Sequence, residues 1–274
     1  MEKTEQLYNQ CFETILRRDR ARKDAELAQA AYIREFGDLM VETFRARAEC
    51  TRKERIISFC TQMEHMDRQI DGRQMELIIA EHMKESDKDL QDITAENEEI
   101  KRTKPLSPED SRRVEEIYRR LAEKLHPDIH PEFDKDGAES GQTADSEQPA
   151  ASAEPGQADA SAEPGHRELW DRIIYAYEHD KLEDLAALEQ EAERFLAECS
   201  TPPREISAQG LIMRIRQIGE QTRKITSAEP YMFKVLLENP ASVAGQKADL
   251  QAIIERCRYY SKKLDDTIAG FKIE

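Results

Sequence analysis

Apolar residues recur at three- and four-residue steps along most of this chain, the spacing that places side chains on one face of an α-helix. From residue 2 to about residue 70 a stripe runs through Leu7, Cys11, Ile15, Ala28, Tyr32, Phe36, Leu39 and Phe44. It resumes at Ile56, Cys60, Met63 and Met66, with no proline and Gly37 as the one glycine. Gly37, or the charged stretch from Arg45 to Arg55, is where this arm is expected to bend or split. Asp71-Gly72 reads as a turn, because glycine adopts positive φ without steric cost. A second helical pattern follows through Met75, Ile78, Ile79, Met83, Leu90, Ile93 and Ile100 and stops before Pro105. Residues 1–104 are therefore expected to form a long antiparallel helical hairpin, each stripe covering the other. Met63, Met66, Met75 and Met83 cluster near its turn, where core filling is the simpler role and a pliable partner surface the alternative. His65 and His82 have no acid or thiol at ligand spacing and read as structural or exposed.

The next segment is shorter and sharper. Ser107 is a good N-cap, Pro108 suits the first helical position, and Glu109 and Asp110 lie where the helix dipole favours acids. Val114, Ile117, Leu121 and Leu125 then form an apolar face flanked by Tyr118, with Arg112, Arg113, Arg119, Arg120 and Lys124 largely on the others. Pro127 ends the helix, because the residue before a proline is pushed out of the α region. The pattern predicts a basic helix that closes on an exposed His126-Pro127-Asp128 turn. Beyond a stretch at about 134–166, Trp170, Ile173, Ala176 and Tyr177 mark another amphipathic helix. Asp180 reads as the N-cap of a further one carrying Leu182, Leu185, Leu188 and Phe195. Thr201-Pro202-Pro203 breaks the chain. Leu211, Ile215, Ile218, Thr222 and Ile225 follow, and the same repeat returns at Leu250, Ile254, Cys257, Ser261, Leu264, Ile268 and Phe271. A repeat near 3.5 residues on two neighbouring segments predicts an antiparallel coiled-coil hairpin over 205–274, with pairing between chains as the alternative. Tyr231, Phe233, Val235, Leu236 and Leu237 are expected to form a short helix capping it.

The fold class is thus all-α: elongated, coiled-coil-like hairpins flanking a small helical module at 105–198. Composition agrees, since 36% of residues are charged, 38% hydrophobic and only 6% aromatic, proportions that suit solvated helices better than one large core. The segment 134–166 is dominated by Ala, Ser, Gly, Glu, Gln, Asp and Pro, with Ser-Ala-Glu-Pro-Gly repeated at 152–156 and 161–165. That composition cannot bury enough apolar surface to offset chain entropy, so a disordered insertion is expected. A net charge of −16 argues against a general nucleic-acid binder. No apolar run approaches the roughly 18 residues a bilayer span needs, and the charged Met1-Glu2-Lys3 start does not read as a secretory signal. The five cysteines, Cys11, Cys50, Cys60, Cys199 and Cys257, lack metal-site spacing and read as reduced thiols. A cytoplasmic protein is expected, without cofactor or metal.

The stretch Tyr118-Arg119-Arg120-Leu121-Ala122-Glu123-Lys124-Leu125-His126-Pro127-Asp128 resembles the signature that ends the second helix of the J-domain, the DnaJ-type co-chaperone module. Trp170, Ile173, Ala176 and Tyr177 are similar to that family's third-helix pattern, so the insertion falls between two helices that need each other's apolar faces. A long insertion at such a point costs little extra closure entropy. The resemblance implies docking on a DnaK-type chaperone and stimulation of its ATPase. His126, Pro127 and Asp128 would trigger hydrolysis, and Arg119, Arg120 and Lys124 would steer docking. Tyr118, Leu121, Leu125, Trp170, Ile173, Ala176 and Tyr177 would form the supporting core, and the helical arms would recruit a client or assembly partner. The family's opening helix has no counterpart in residues 101–106. Either the helix around Leu90 to Ile100 or that from Asp180 to Leu196 is expected to pack in its place.

Two other classes fit parts of the sequence. A scaffold or adaptor would use the same helices without stimulating a chaperone. An enzyme would need a third ligand or a nucleophile beside His126, Asp128 or His130, and no such residue, Gly-rich phosphate loop or His-Glu-x-x-His motif is present. No catalytic role is expected.

Overall fold

Helix α1 runs unbroken from Glu2 to His65, as the lack of proline permits. A computed structural model describes residues 2–133, 165–199 and 206–274. The expected disordered insertion lies outside the described residues except for Gly165 and His166, and His166 already opens a helix. After α1 come α2 (Gly72–Arg102), α3 (Pro108–Leu125), a 3₁₀ turn at Pro131–Phe133, α4 (His166–Glu178), α5 (Leu182–Glu198), α6 (Ala208–Ser227), α7 (Phe233–Glu238) and α8 (Pro240–Ile268). Among the described residues the fold is all-α. Its sole extended pairing is an isolated bridge between Ile70 and Ile273.

Contacts group the chain into two units, residues 1–27 with 106–231 and residues 28–105 with 232–274. The first is a helical cluster in which α3, α4 and α5 pack on one another. Cys11, Phe12 and Ile15 from α1 and Leu211 and Ile218 from α6 complete its core. Two of its helix ends are locally specified. Ser107 Oγ accepts from the Asp110 amide at 3.1 Å, with Pro108 at the first helical position. Asp180, expected as the cap of α5, instead closes α4. It adopts φ 54°, its amide donates to Tyr177 O (3.3 Å), and the Lys181 amide donates to Ala176 O (2.9 Å). These two bonds form a Schellman closure, in which aspartate holds the left-handed position usually given to glycine.

In the second unit Phe59, Cys60, Met75, Ile79 and Met83 form the α1–α2 core, with Met63 packed against it and Met66 exposed. Core filling is therefore the role of three of the four clustered methionines. His65 and His82 are exposed. The turn is made differently from the expected Asp71-Gly72 bend. Asp67 takes the positive φ, 54°, while Asp71 caps α2 by accepting from the Arg73 and Gln74 amides at 2.8 and 3.2 Å. Gly72 is helical, and what it provides is room: its amide donates to Glu274 O at 2.9 Å, and a Cβ there would sit 3.0 Å from that oxygen. Helix α8 lies on α1 through Lys53 Nζ, which reaches Glu49 (2.9 Å), Ser261 Oγ (2.7 Å) and Asp265 (2.7 Å). Where a hairpin of the two C-terminal repeats was expected, each is covered within its own unit, Leu211 and Ile218 in the first and Ile254, Ser261 and Leu264 in the second.

Gly37 neither bends nor splits α1. It lets α2 come close, for a Cβ at this position would lie 2.1 Å from Asn97 Oδ1, and Asn97 is itself buried and donates to Asp38 at 3.0 Å. Gly37→Ala is expected to lower stability in urea unfolding by about 1–3 kcal/mol despite its higher helix propensity. Adding Asn97→Ala should recover part of that loss, whereas strictly additive effects would show that the close approach is not the cause.

Candidate functional site

The helix carrying the His-Pro-Asp turn is held from three sides by side chains of the first unit. On its inner face Tyr118 stacks on Tyr177 with ring centroids 3.7 Å apart at 12°, and Trp170 meets His126 edge-on at 4.7 Å. Leu121, Leu125, Ile173 and Ala176 fill the space between them, all essentially buried. His166 at the start of α4 is bonded through Nε2 to Leu125 O (2.7 Å), tying the two helix ends that flank the insertion. These are the residues expected to form the module's core.

The turn itself departs from expectation. His126 is 1% exposed rather than presented to solvent. The burial comes from α1, which lays Arg18 and Asp19 against the turn. Arg18 Nη1 pairs with Asp128 Oδ2 at 2.7 Å, and its other nitrogens reach Asp19 Oδ1 at 2.8–2.9 Å. The Tyr118 hydroxyl donates to Asp19 Oδ2 at 2.7 Å, and His126 Nε2 lies 3.4 Å from the same oxygen. The Asp128 amide donates to His126 Nδ1 at 3.0 Å. An amide can only donate, so Nδ1 accepts and the neutral ring carries its proton on Nε2, directed at Asp19. The 3.1 Å approach of Arg18 Nη2 to Nε2 is then a contact between two donors, tolerated because Asp19 accepts from both. Gln221 of α6 adds a longer contact to Arg18 at 3.4 Å.

Electrostatics follow the geometry. Burial alone would raise the Asp19 pKa, but hydrogen bonds from His126 and Tyr118 and the Arg18 charge outweigh it and hold the carboxyl below the ordinary range. Burial beside that carboxylate pushes the Tyr118 phenol well up. Thus the network is an arginine–aspartate pair capped by hydrogen bonds from Tyr118 and His126.

The other expected docking residues sit outside this network. Arg119 pairs with Glu13 of α1 at 2.6 Å, and Arg120 grips Glu189 of α5 through two bonds at 2.7 and 3.1 Å. Lys124 is exposed, while Pro127 and Asp128 are half-buried. Of the two helices expected to stand in for the missing opening helix, α5 packs on α3 and α4, and α2 belongs to the other unit. Residues 2–27 of α1 supply a further partner that sequence reasoning missed.

Arg18, Asp19 and Lys23 were missed altogether. They lie 3, 4 and 8 residues beyond Ile15, where the stripe would have continued, and the gap from Ile15 to Ala28 was the available signal. Lys23 is buried as well, paired with Asp180 at 2.7 Å and lying 4.5 Å over the Tyr177 ring. Tyr177 donates to Glu115 at 3.1 Å. A groove beside these residues is lined by Arg22, Glu26, Glu178, Glu229 and Pro230. Burial, and then the Glu26 charge against a partial offset from Arg22, push Glu178 up to about 7. Its place as the last residue of α4 adds an unfavourable dipole contact.

What the arrangement defines is an all-α protein with a clasped polar turn: an internal arginine and aspartate bind the histidine and aspartate of a helix-terminating loop. No family model, curated protein or solved structure matches the chain.

Two measurements test these assignments. Asp19→Ala leaves Arg18 and the Tyr118 hydroxyl buried without their acceptor and is expected to cost about 3–5 kcal/mol. A double Arg18→Met, Asp19→Leu change should cost less than the sum of the singles, and simple additivity would mean the two side chains act separately. Glu178 binds a proton more tightly folded than unfolded, so wild-type stability should fall as pH rises from the ordinary value of 4.5 through about 7. Glu178→Gln should remove that slope, gaining about 2 kcal/mol at pH 8 and little at pH 5. Parallel pH profiles for the two proteins would refute the assignment.

Proposed function

We propose that this chain is a J-type co-chaperone of the cytoplasm that docks on a DnaK-type chaperone through the Asp128 turn, with its helical arms recruiting a client or assembly partner. The observation that carries this reading is the state of Asp128. Its carboxylate stands at the rim of a turn preorganised by the bond from its own amide to His126, and its side chain is 36% exposed. An incoming cation can reach it, but only by displacing Arg18. The basic helix face supports the reading on energetic grounds. Arg119 and Arg120 are exposed and their pairs with Glu13 and Glu189 are worth about 0–1 kcal/mol each, so an acidic partner surface exchanges with them at little cost. Lys124 is exposed on the same helix. In this reading α1 acts as a clasp, and opening Arg18 from Asp128 is the costly step.

A scaffold or adaptor role is the second reading, and the burial of His126 favours it. If the histidine and aspartate serve only to join α3 to α1, their chemistry is wholly accounted for within the chain.

The deciding experiment is single-turnover ATP hydrolysis by a DnaK-type chaperone in the presence of the full chain. Wild type is expected to stimulate hydrolysis, and Asp128→Asn to lose that stimulation. Arg18→Lys keeps a charge beside Asp19 but cannot fork to Asp19 and Asp128 together, so it should stimulate several-fold more than wild type. No stimulation by either wild type or Arg18→Lys, with both shown by circular dichroism to be helical, would overturn the co-chaperone reading in favour of the scaffold.

A further inference from the structure

In the second unit two cysteines face each other across the α1–α8 contact. Cys50 on α1 is 7% exposed, and its thiol donates to Cys257 O on α8 at 3.3 Å. The two cysteines differ in access: Cys257 is partly exposed and lines a surface groove with Glu49, Lys53, Lys262 and Asp265. Cys11 and Cys60 are fully buried in separate cores, and no other cysteine pair meets in this way among the described residues.

We propose that Cys50 and Cys257 are a reversible thiol–disulfide pair that takes a low-molecular-weight disulfide as its oxidant and, when oxidised, covalently joins α8 to α1. The exposed thiol reacts first. Cys257, as thiolate, attacks one sulfur of oxidised glutathione, breaking its S–S bond, forming a mixed disulfide and releasing one glutathione thiolate. Cys50, as thiolate, then attacks the Cys257 sulfur, forms the Cys50–Cys257 bond and expels the second glutathione. The two cysteine protons end on the two released glutathione thiols, so one disulfide is reduced as one is made. Cys50 is suited to the resolving role because burial shields it from the bulky oxidant while leaving it in contact with Cys257. Burial and the neighbouring thiol also raise the Cys50 pKa, so the second step should accelerate as pH rises above neutrality.

The test is incubation of the folded full chain with oxidised glutathione at pH 8, followed by alkylation and peptide mapping. The expected result is a Cys50–Cys257 cross-linked peptide pair and a fall in titratable thiols from five to three, reversed by excess reduced glutathione. Cys50→Ser should stop at a stable glutathione adduct on Cys257, and Cys257→Ser should leave Cys50 unmodified. A wild-type protein that halts at the Cys257 adduct, or that forms the cross-link only after denaturation, would overturn the proposal. The chaperone assay bears on the first unit, so either result can fail without the other.

Discussion

The buried pair of Arg18 and Asp19 is the constraint on which the first unit depends. Two charges drawn from one helix into a core would be costly alone, since desolvation commonly exceeds the Coulombic gain of a buried pair. Here the remaining hydrogen-bonding capacity is met. Asp19 accepts from Tyr118 and faces His126, and Arg18 reaches Asp128 at the rim. Each of these partners belongs to α3 or the turn that follows it, so satisfying the pair sets how α1 meets that helix. Apolar packing by Cys11, Phe12 and Ile15 would allow several registers along the same groove. The polar network admits one.

The same interaction changes the meaning of the His-Pro-Asp turn. In the sequence it reads as a terminus offered to solvent. In the fold His126 is a wedge between Trp170 and Asp19, and only Asp128 and Pro127 remain at the surface. The histidine therefore does internal work whatever the aspartate meets outside. The basic residues that precede the turn divide similarly, with Arg119 and Arg120 answered by acids of α1 and α5 and Lys124 left exposed.

Much of the all-α framework was legible in the sequence because its signals are local. Ser107, Pro108 and the stripe from Val114 to Leu125 specify α3 locally, and Trp170, Ile173, Ala176 and Tyr177 state the face of α4. The turn between α1 and α2 could be placed but not described. Schellman closures at Asp67 and Asp180 rest on backbone amides donating to carbonyls several residues upstream, and aspartate is a weak cue for positive φ beside glycine. What could not be read was long-range pairing. Arg18 meets Asp128 across 110 residues and Tyr118 meets Asp19 across 99. A charge on a helix ordinarily signals a solvated face, so Arg18, Asp19 and Lys23 read as an interruption of the core when they are part of it. For the same reason the repeats on α6 and α8 suggested each other as partners, although periodicity states that a face is covered without saying by what.

Trp170 is the chain's single tryptophan, and its indole lies edge-on to His126 with the ring centres 4.7 Å apart. The protein thereby carries an optical probe of its own at the one place where the clasp meets the turn. Indole emission depends on the packing and polarity of what touches the ring, and opening the clasp would change both. The emission of one native fluorophore should therefore report opening of the clasp in the intact molecule, without a label.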